Sequence, residues 1–230
     1  GLNLKEIAAV FEEKLEIPSE DFLAYVNDRE TVEALMVQYP NLITEEVFEE
    51  NVKYPLEGYL FPATYPFYEE NPSIELIVDQ MLDAMNQQME LLHPFLDEQE
   101  KSVHWLITFA SLLEKEATAK ADRETIASVF YNRIKEDMPL QTDPTVAYAH
   151  GKHLDRTLYK DLEIDDPYNT YKYKGVPPGP IAAPGKSSLE AVVDPSDTKY
   201  LYFLADENGT NHFAETYEQH LENRAKYIDK

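Results

Sequence analysis

The run Trp105-Leu106-Ile107-Thr108-Phe109-Ala110-Ser111-Leu112-Leu113-Glu114-Lys115-Glu116-Ala117 ends an apolar stretch with two carboxylates. At about 100° per residue, Leu106, Ala110, Leu113 and Ala117 centre an apolar arc. Glu114 falls on one shoulder of that arc, beside Ile107 and Ala110. Glu116 falls on the other, beside Phe109 and Leu112, while Lys115 points to the polar side. A carboxyl among apolar groups loses hydration of its charged form, which raises its pKa. The result is a general acid that holds its proton near neutral pH. The same Glu-Lys-Glu run also suits a helix end with solvated charges, and the helical wheel does not choose between Glu114 and Glu116.

Further along, Pro139-Leu140-Gln141-Thr142-Asp143-Pro144-Thr145 packs amide, hydroxyl and carboxylate between two prolines, and Asp166-Pro167-Tyr168-Asn169-Thr170-Tyr171 does the same with aromatics. The stretch from Gly175 to Gly185 holds four prolines and is too stiff for a flexible linker. Rigid loops bearing Tyr, Asn, Gln and Asp suit a sugar polymer, because rings stack on aromatics and hydroxyls pair with amides and carboxylates. They also suit purely structural turns. His150 with His153, and His212 with His220, lack the further ligands and register of a metal site. There is neither a Gly-rich phosphate loop nor a Gly-x-Ser-x-Gly elbow.

These residues must be positioned by a chain of 230 residues, 43% hydrophobic and 12% aromatic, which suffices for a sizeable core. The net charge of -24 argues against nucleic acid and anionic lipid, and leaves a neutral or cationic substrate. With no cysteine, disulfides, thiolate metal sites and a Cys nucleophile are excluded, which is compatible with export. No apolar run of about 18 residues is present and no signal peptide opens the chain. Because a helical pattern begins almost at once, the sequence reads as a piece of a larger protein.

Helical spacing predicts helices at Leu4, Ile7, Ala8 and Phe11, at Phe22, Leu23 and Val26, and over Thr31 to Gln38, with Thr44 as an N-cap. The Pro- and Tyr-rich residues 54–72 read as short extended pieces and turns. Amphipathic helices are expected from Ile74 to about Leu92, from Val103 to Ala117, and from Asp122 to Lys135 with Ile126, Val129, Phe130 and Ile134 inward. From Met138 the helical period fades. Residues 166–186 read as an ordered Pro/Gly/Tyr-rich loop. Lys199 to Ala205 reads as a buried strand, Asp206 to Gly209 as a turn, His212 to Ala214 as the returning strand, and Tyr217 to Tyr227 as a closing helix. The expected class is α+β, helix-rich in its first 135 residues with a small antiparallel sheet later.

Taken in order, several segments resemble the endolytic murein transglycosylase (YceG-like) family. They are Leu56-Glu57-Gly58-Tyr59-Leu60-Phe61-Pro62-Ala63-Thr64-Tyr65, Ala110 to Ala117, Asp122-Arg123 with Ala127 to Arg133, Leu140 to Val146, Tyr168 to Tyr171, Gly175 to Ile181, Pro184-Gly185, and Tyr200 to Phe203. The resemblance implies a membrane-anchored enzyme facing the cell wall, in the setting of the cell-wall synthesis machinery. It implies cleavage within peptidoglycan strands, between N-acetylmuramic acid and N-acetylglucosamine, leaving 1,6-anhydro ends. No cofactor or metal is expected. The family's catalytic glutamate falls on Glu114. Gln141, Thr142, Asp143, Tyr168, Asn169 and Tyr171 are expected to line the substrate cleft, and Glu57 to orient substrate or Glu114. Residues 1–50 are expected to form part of a LysM-like helical subdomain, and residues 51–230 the catalytic domain. The competing readings are a hydrolase pairing Glu114 with Glu57, Glu116 or Asp143, and a wall-binding module without activity.

Overall fold

The computed structural model describes the chain except for residues 69–70, 118–121, 153, 155–156 and 230, so His153 lies outside the described residues. The described part forms two compact units. One comprises Gly1–Glu114 with Pro178–Lys186, the other Lys115–Pro177 with Ser187–Lys230.

The first unit is helical. Helices α1 (Leu4–Leu15), α2 (Ser19–Asn27) and α3 (Arg29–Gln38) follow one another through tight caps. Asn3 and Glu6 form a reciprocal capping box on α1, and Asp28 accepts the Thr31 N–H at the start of α3. Thr44 precedes a short 3-10 turn at Glu45–Phe48 but makes no side-chain cap bond there. Residues 54–72 have turns and no strand among those described.

Helix α4 (Ile74–Gln99) runs well past the expected end near Leu92 and contains Pro94. Proline inside a helix removes one backbone bond and crowds the preceding turn. Here Leu82, Met85, Met89 and Leu96 continue one buried stripe across the proline, so burial carries the helix through it. Helix α5 (Val103–Glu116) is buried at every position from Val103 to Leu113 except Trp105, and is the core of this unit.

The second unit holds α6 (Arg123–Lys135), α7 (Asp143–His150), most of α8 (Lys186–Val193), the strands β1 (Tyr202–Ala205) and β2 (Asn211–Ala214), and α9 (Tyr217–Tyr227). The strands pair antiparallel, with Tyr202 opposite Ala214 and Ala205 opposite Asn211. The α+β expectation therefore holds, with a sheet of only two strands among the described residues. Asp122 caps α6 through the Thr125 N–H. Ile126, Val129 and Phe130 face inward, but Ile134 is 37% exposed. Arg133, seven residues after Ile126 and four after Val129, takes the inward place instead.

The expected strand from Lys199 begins only at Tyr202 and is half-buried. The carbonyls of Thr198 and Tyr200 accept from the Asn132 amide of α6, so this stretch leans on a helix before pairing with β2. Gly209, at φ +76°, closes the turn between the strands.

Candidate active site

Glu114 sits two residues from the end of α5, with its side chain 19% exposed. Its Oε2 accepts the Gly185 N–H at 3.1 Å, and the Gly1 nitrogen lies 3.6 Å from Oε1. Gly185 belongs to the strap Pro178–Lys186, and α5 holds that strap along its length. His104 Nε2 is 2.8 Å from the Pro178 carbonyl, and its Nδ1 is 2.8 Å from the Tyr59 hydroxyl. A carbonyl only accepts, so Nε2 carries the proton, and in the neutral ring Nδ1 accepts from Tyr59. One turn before Glu114, the Ser111 hydroxyl accepts the Ile181 N–H at 3.1 Å. His104, Ser111 and Glu114 thus bind the strap at its start, middle and end.

Two further features support the strap, the first of them dependent on a glycine. Gly58 has φ +83°, and a Cβ there would come within 2.4 Å of Pro180 Cβ and 3.0 Å of Ile107. Only glycine lets the 56–60 turn meet the strap so closely. Glu57, 2% exposed, accepts the Leu4 N–H at 3.0 Å, and the Leu2 carbonyl accepts the Ala183 N–H at 2.8 Å. Glu57 therefore holds the first turn of α1, whose preceding residues pair with the strap that reaches Glu114.

The loop residues expected to line a cleft divide into two kinds. Thr142 is 2% exposed, and its N–H donates to the Thr170 hydroxyl at 3.0 Å. Thr145 joins them, its hydroxyl donating to the Thr142 carbonyl at 2.7 Å. Asn169 is fully buried, donates to the Leu162 and Ile164 carbonyls at 2.9 Å each, and accepts the Tyr171 N–H at 3.0 Å. Tyr168, 1% exposed, packs its ring against Tyr148 with centroids 5.0 Å apart. Thr142, Tyr168 and Asn169 are thus buried and engaged within the loop itself.

Gln141, Asp143 and Tyr171 are more accessible. Asp143 Oδ1 accepts the Tyr171 hydroxyl at 2.5 Å. Burial, and then this bond, push the Tyr171 phenol up, so it stays a donor. The Glu116 carboxyl, partly exposed, is pushed up to about 8, mainly by loss of hydration with the Asp143 carboxylate adding to it. Gln141 has φ +56°, an uncommon conformation outside glycine, and its Oε1 accepts from Arg133 at 3.1 Å. Arg133 and the strap contacts of His104 and Ser111 were not foreseen. Their signals were polar residues placed on apolar helix faces. Among the described residues, no cluster of three or more His, Asp or Glu is arranged to hold a metal.

Three kinds of comparison bear on this arrangement. Among curated proteins, the chain is 50% identical to the endolytic murein transglycosylase of Bacillus subtilis over 99% of its own length and 63% of that protein's. It is 38% identical to the protein of the same name from Streptococcus pneumoniae strain R6, over 94% of this chain and 40% of the other. The chain thus spans less than two thirds of either relative. Among solved structures, it matches the crystal structure of a YceG-like protein from Listeria monocytogenes at 45% identity and a TM-score of 0.91, covering 96% of this chain and 72% of that one. The model of the YceG-like family itself matches residues 1–226, so the Glu114 helix, its strap and the loops after α6 all fall within it, and the chain belongs to the YceG-like family.

Proposed function

We propose that this chain carries the cutting centre of an endolytic lytic transglycosylase acting on peptidoglycan outside the cytoplasmic membrane, with Glu114 as both acid and base. The activity named for the Bacillus and pneumococcal relatives supports the reaction class, since nearly all of this chain aligns with them. The observation that carries the reading is the Glu114 carboxyl, mostly withdrawn from water at the end of an apolar helix with Oε2 fixed by the Gly185 N–H. An N–H donor needs a lone pair, so this contact leaves the transferable proton to Oε1.

Protonated Glu114 gives its proton to the glycosidic oxygen as the bond from the muramic anomeric carbon breaks. The C6 hydroxyl of the same muramic residue then bonds to that carbon and returns a proton to the carboxylate. No water is consumed and the acid is regenerated. An intramolecular nucleophile brings its own proximity, which removes the need for a second carboxylate to activate water. Gln141, Asp143 and Tyr171 are the groups we assign to glycan binding, with Thr142, Tyr168 and Asn169 holding them. Glu57 is a support for the segment that reaches Glu114, and residues 1–50 are the LysM-like lead-in.

Mass spectrometry of digested glycan strands tests the reading. The expected products carry 1,6-anhydro ends, and Glu114→Gln abolishes their release. Cleavage that survives the substitution unchanged, or products that gain water, would overturn it. A second reading has one observation in its favour: Glu116 holds its proton to about pH 8 beside Asp143, as an acid in a two-carboxylate hydrolase would. Hydrated products that vanish in Glu116→Gln would establish that alternative.

A further inference from the structure

We infer that Gln141 reads an N-acetyl carbonyl of the glycan through its amide hydrogens, and that Arg133 is the positioning residue that restricts it to this role. The inference rests on the proposed glycan-binding role of Gln141, and adds to it which group is recognised and what enforces the choice.

Arg133 is only 8% exposed although it bears a permanent charge. Its Nε donates to the Leu201 carbonyl at 2.6 Å, and its NH1 faces the Pro139 and Leu140 carbonyls at 3.0 and 3.1 Å and Gln141 Oε1 at 3.1 Å. Its guanidinium also lies 5.2 Å from the centre of the Tyr202 ring. Every polar partner is a neutral oxygen. Among the described residues no carboxylate pairs with it.

A guanidinium can only donate, so the amide oxygen of Gln141 must face it. That decides the orientation of an amide whose two ends are otherwise easily exchanged. The Gln141 backbone is fixed as well: its N–H donates to the Thr170 carbonyl at 3.0 Å, and its φ of +56° is held by the buried threonines that follow. The side chain is exposed, and its Nε2 hydrogens point away from Arg133. The charge behind Oε1 polarises the amide and strengthens those donors.

A fixed donor pair is a selective device. A sugar hydroxyl both donates and accepts, so an amide free to turn over would serve it equally well. A carbonyl oxygen only accepts, and its complement is a donor that cannot turn over. In a glycan of N-acetylated sugars, the carbonyls repeated along the strand are the N-acetyl groups.

The test measures binding in the Glu114→Gln background, where cutting does not interfere. The probes are chitopentaose, whose only carbonyls are N-acetyl groups, and cellopentaose, which has the same β-1,4 linkage with hydroxyls in their place. We expect the Glu114→Gln protein to prefer chitopentaose, and Gln141→Met to weaken chitopentaose binding about tenfold while leaving cellopentaose unchanged. Gln141→Glu keeps an oxygen toward Arg133 but presents oxygen to the ligand, and should weaken chitopentaose binding further. Arg133→Lys should lower the preference in the same direction. Equal weakening of both probes by Gln141→Met, an unaltered preference, or no preference before substitution would overturn the inference. Murein fragments that bind while chitopentaose does not would overturn it too, pointing to the lactyl carbonyl. Failure of the Glu114 mechanism appears separately, in the products released by the wild-type chain.

Discussion

Gly58→Ala is the sharpest perturbation of the support behind Glu114. The residue sits at φ +83°, where adding a Cβ costs about 1–2 kcal/mol of backbone strain. The new methyl carbon would lie 2.4 Å from Pro180 Cβ, 2.8 Å from its Cγ and 3.0 Å from an Ile107 methyl. None of these neighbours is the free end of a flexible chain, so the overpacking adds about 1–3 kcal/mol. In a chain of this size each kcal/mol lowers Tm by about 2–4 °C, so the expected fall is roughly 4–20 °C. Thermal unfolding followed by circular dichroism measures it. The cause can be isolated with Pro180→Gly, which removes the atoms nearest the clash. The double variant should then be more stable than the two single losses predict by at least about 1 kcal/mol. The strap that moves to relieve the clash ends in Gly185, so strand cleavage should fall more than stability at temperatures far below Tm. A Tm within about 2 °C of wild type, or strictly additive losses, would refute the idea that glycine is present for this contact.

Two further outcomes follow from the second unit. The Glu116 carboxyl is raised from its ordinary 4.5 to about 8, so the folded chain holds this proton more tightly than the unfolded chain does. Its contribution is complete below the unfolded value and is lost as pH rises toward 8. Tm should therefore drop faster between about pH 5 and pH 8 in wild type than in Glu116→Gln, and parallel curves would exclude the raised carboxyl. Asn169→Ala removes two buried donors and one acceptor, a loss of about 2–4 kcal/mol by denaturant titration. An unchanged midpoint with lost glycan binding would make Asn169 a substrate contact instead of a support.

Most helices were legible because their apolar faces repeat at helical spacing and their caps are local. Asn3, Asp28, Ser73 and Asp122 each accept a backbone N–H three residues on. Helices α7 and α8 went unread for a different reason. Each has eight residues, too few for a periodic face to stand out, and α7 opens on Asp143-Pro144, which reads equally as a turn. The end of α4 was misplaced because Pro94 is a strong local breaker, while the burial of Leu96 that overrides it is a tertiary fact. The late start of β1 has the same origin, since nothing in Thr198 to Leu201 announces the Asn132 amide that takes its carbonyls.

The site divides along the same line. Burial beside Glu116 was legible from the helical wheel, because apolar neighbours four and seven residues away are a local matter. Which carboxylate meets the strap was not, because the Gly185 N–H that Glu114 accepts comes from 71 residues further along the chain. The loop residues were singled out by type, and type alone does not say whether an amide faces solvent or the loop's own carbonyls. Asn169 and Gln141 have the same functional group, yet one has both ends occupied inside the loop and the other has one end turned outward. The difference lies in Arg133, which the sequence presents only as the end of the Ala127 to Arg133 segment. Its position was the available signal: a charged residue at the inward place of an apolar helix face must find oxygen partners or unfold the helix. Such a residue, followed within eight positions by a polar loop, is where a buried positioning group should be sought.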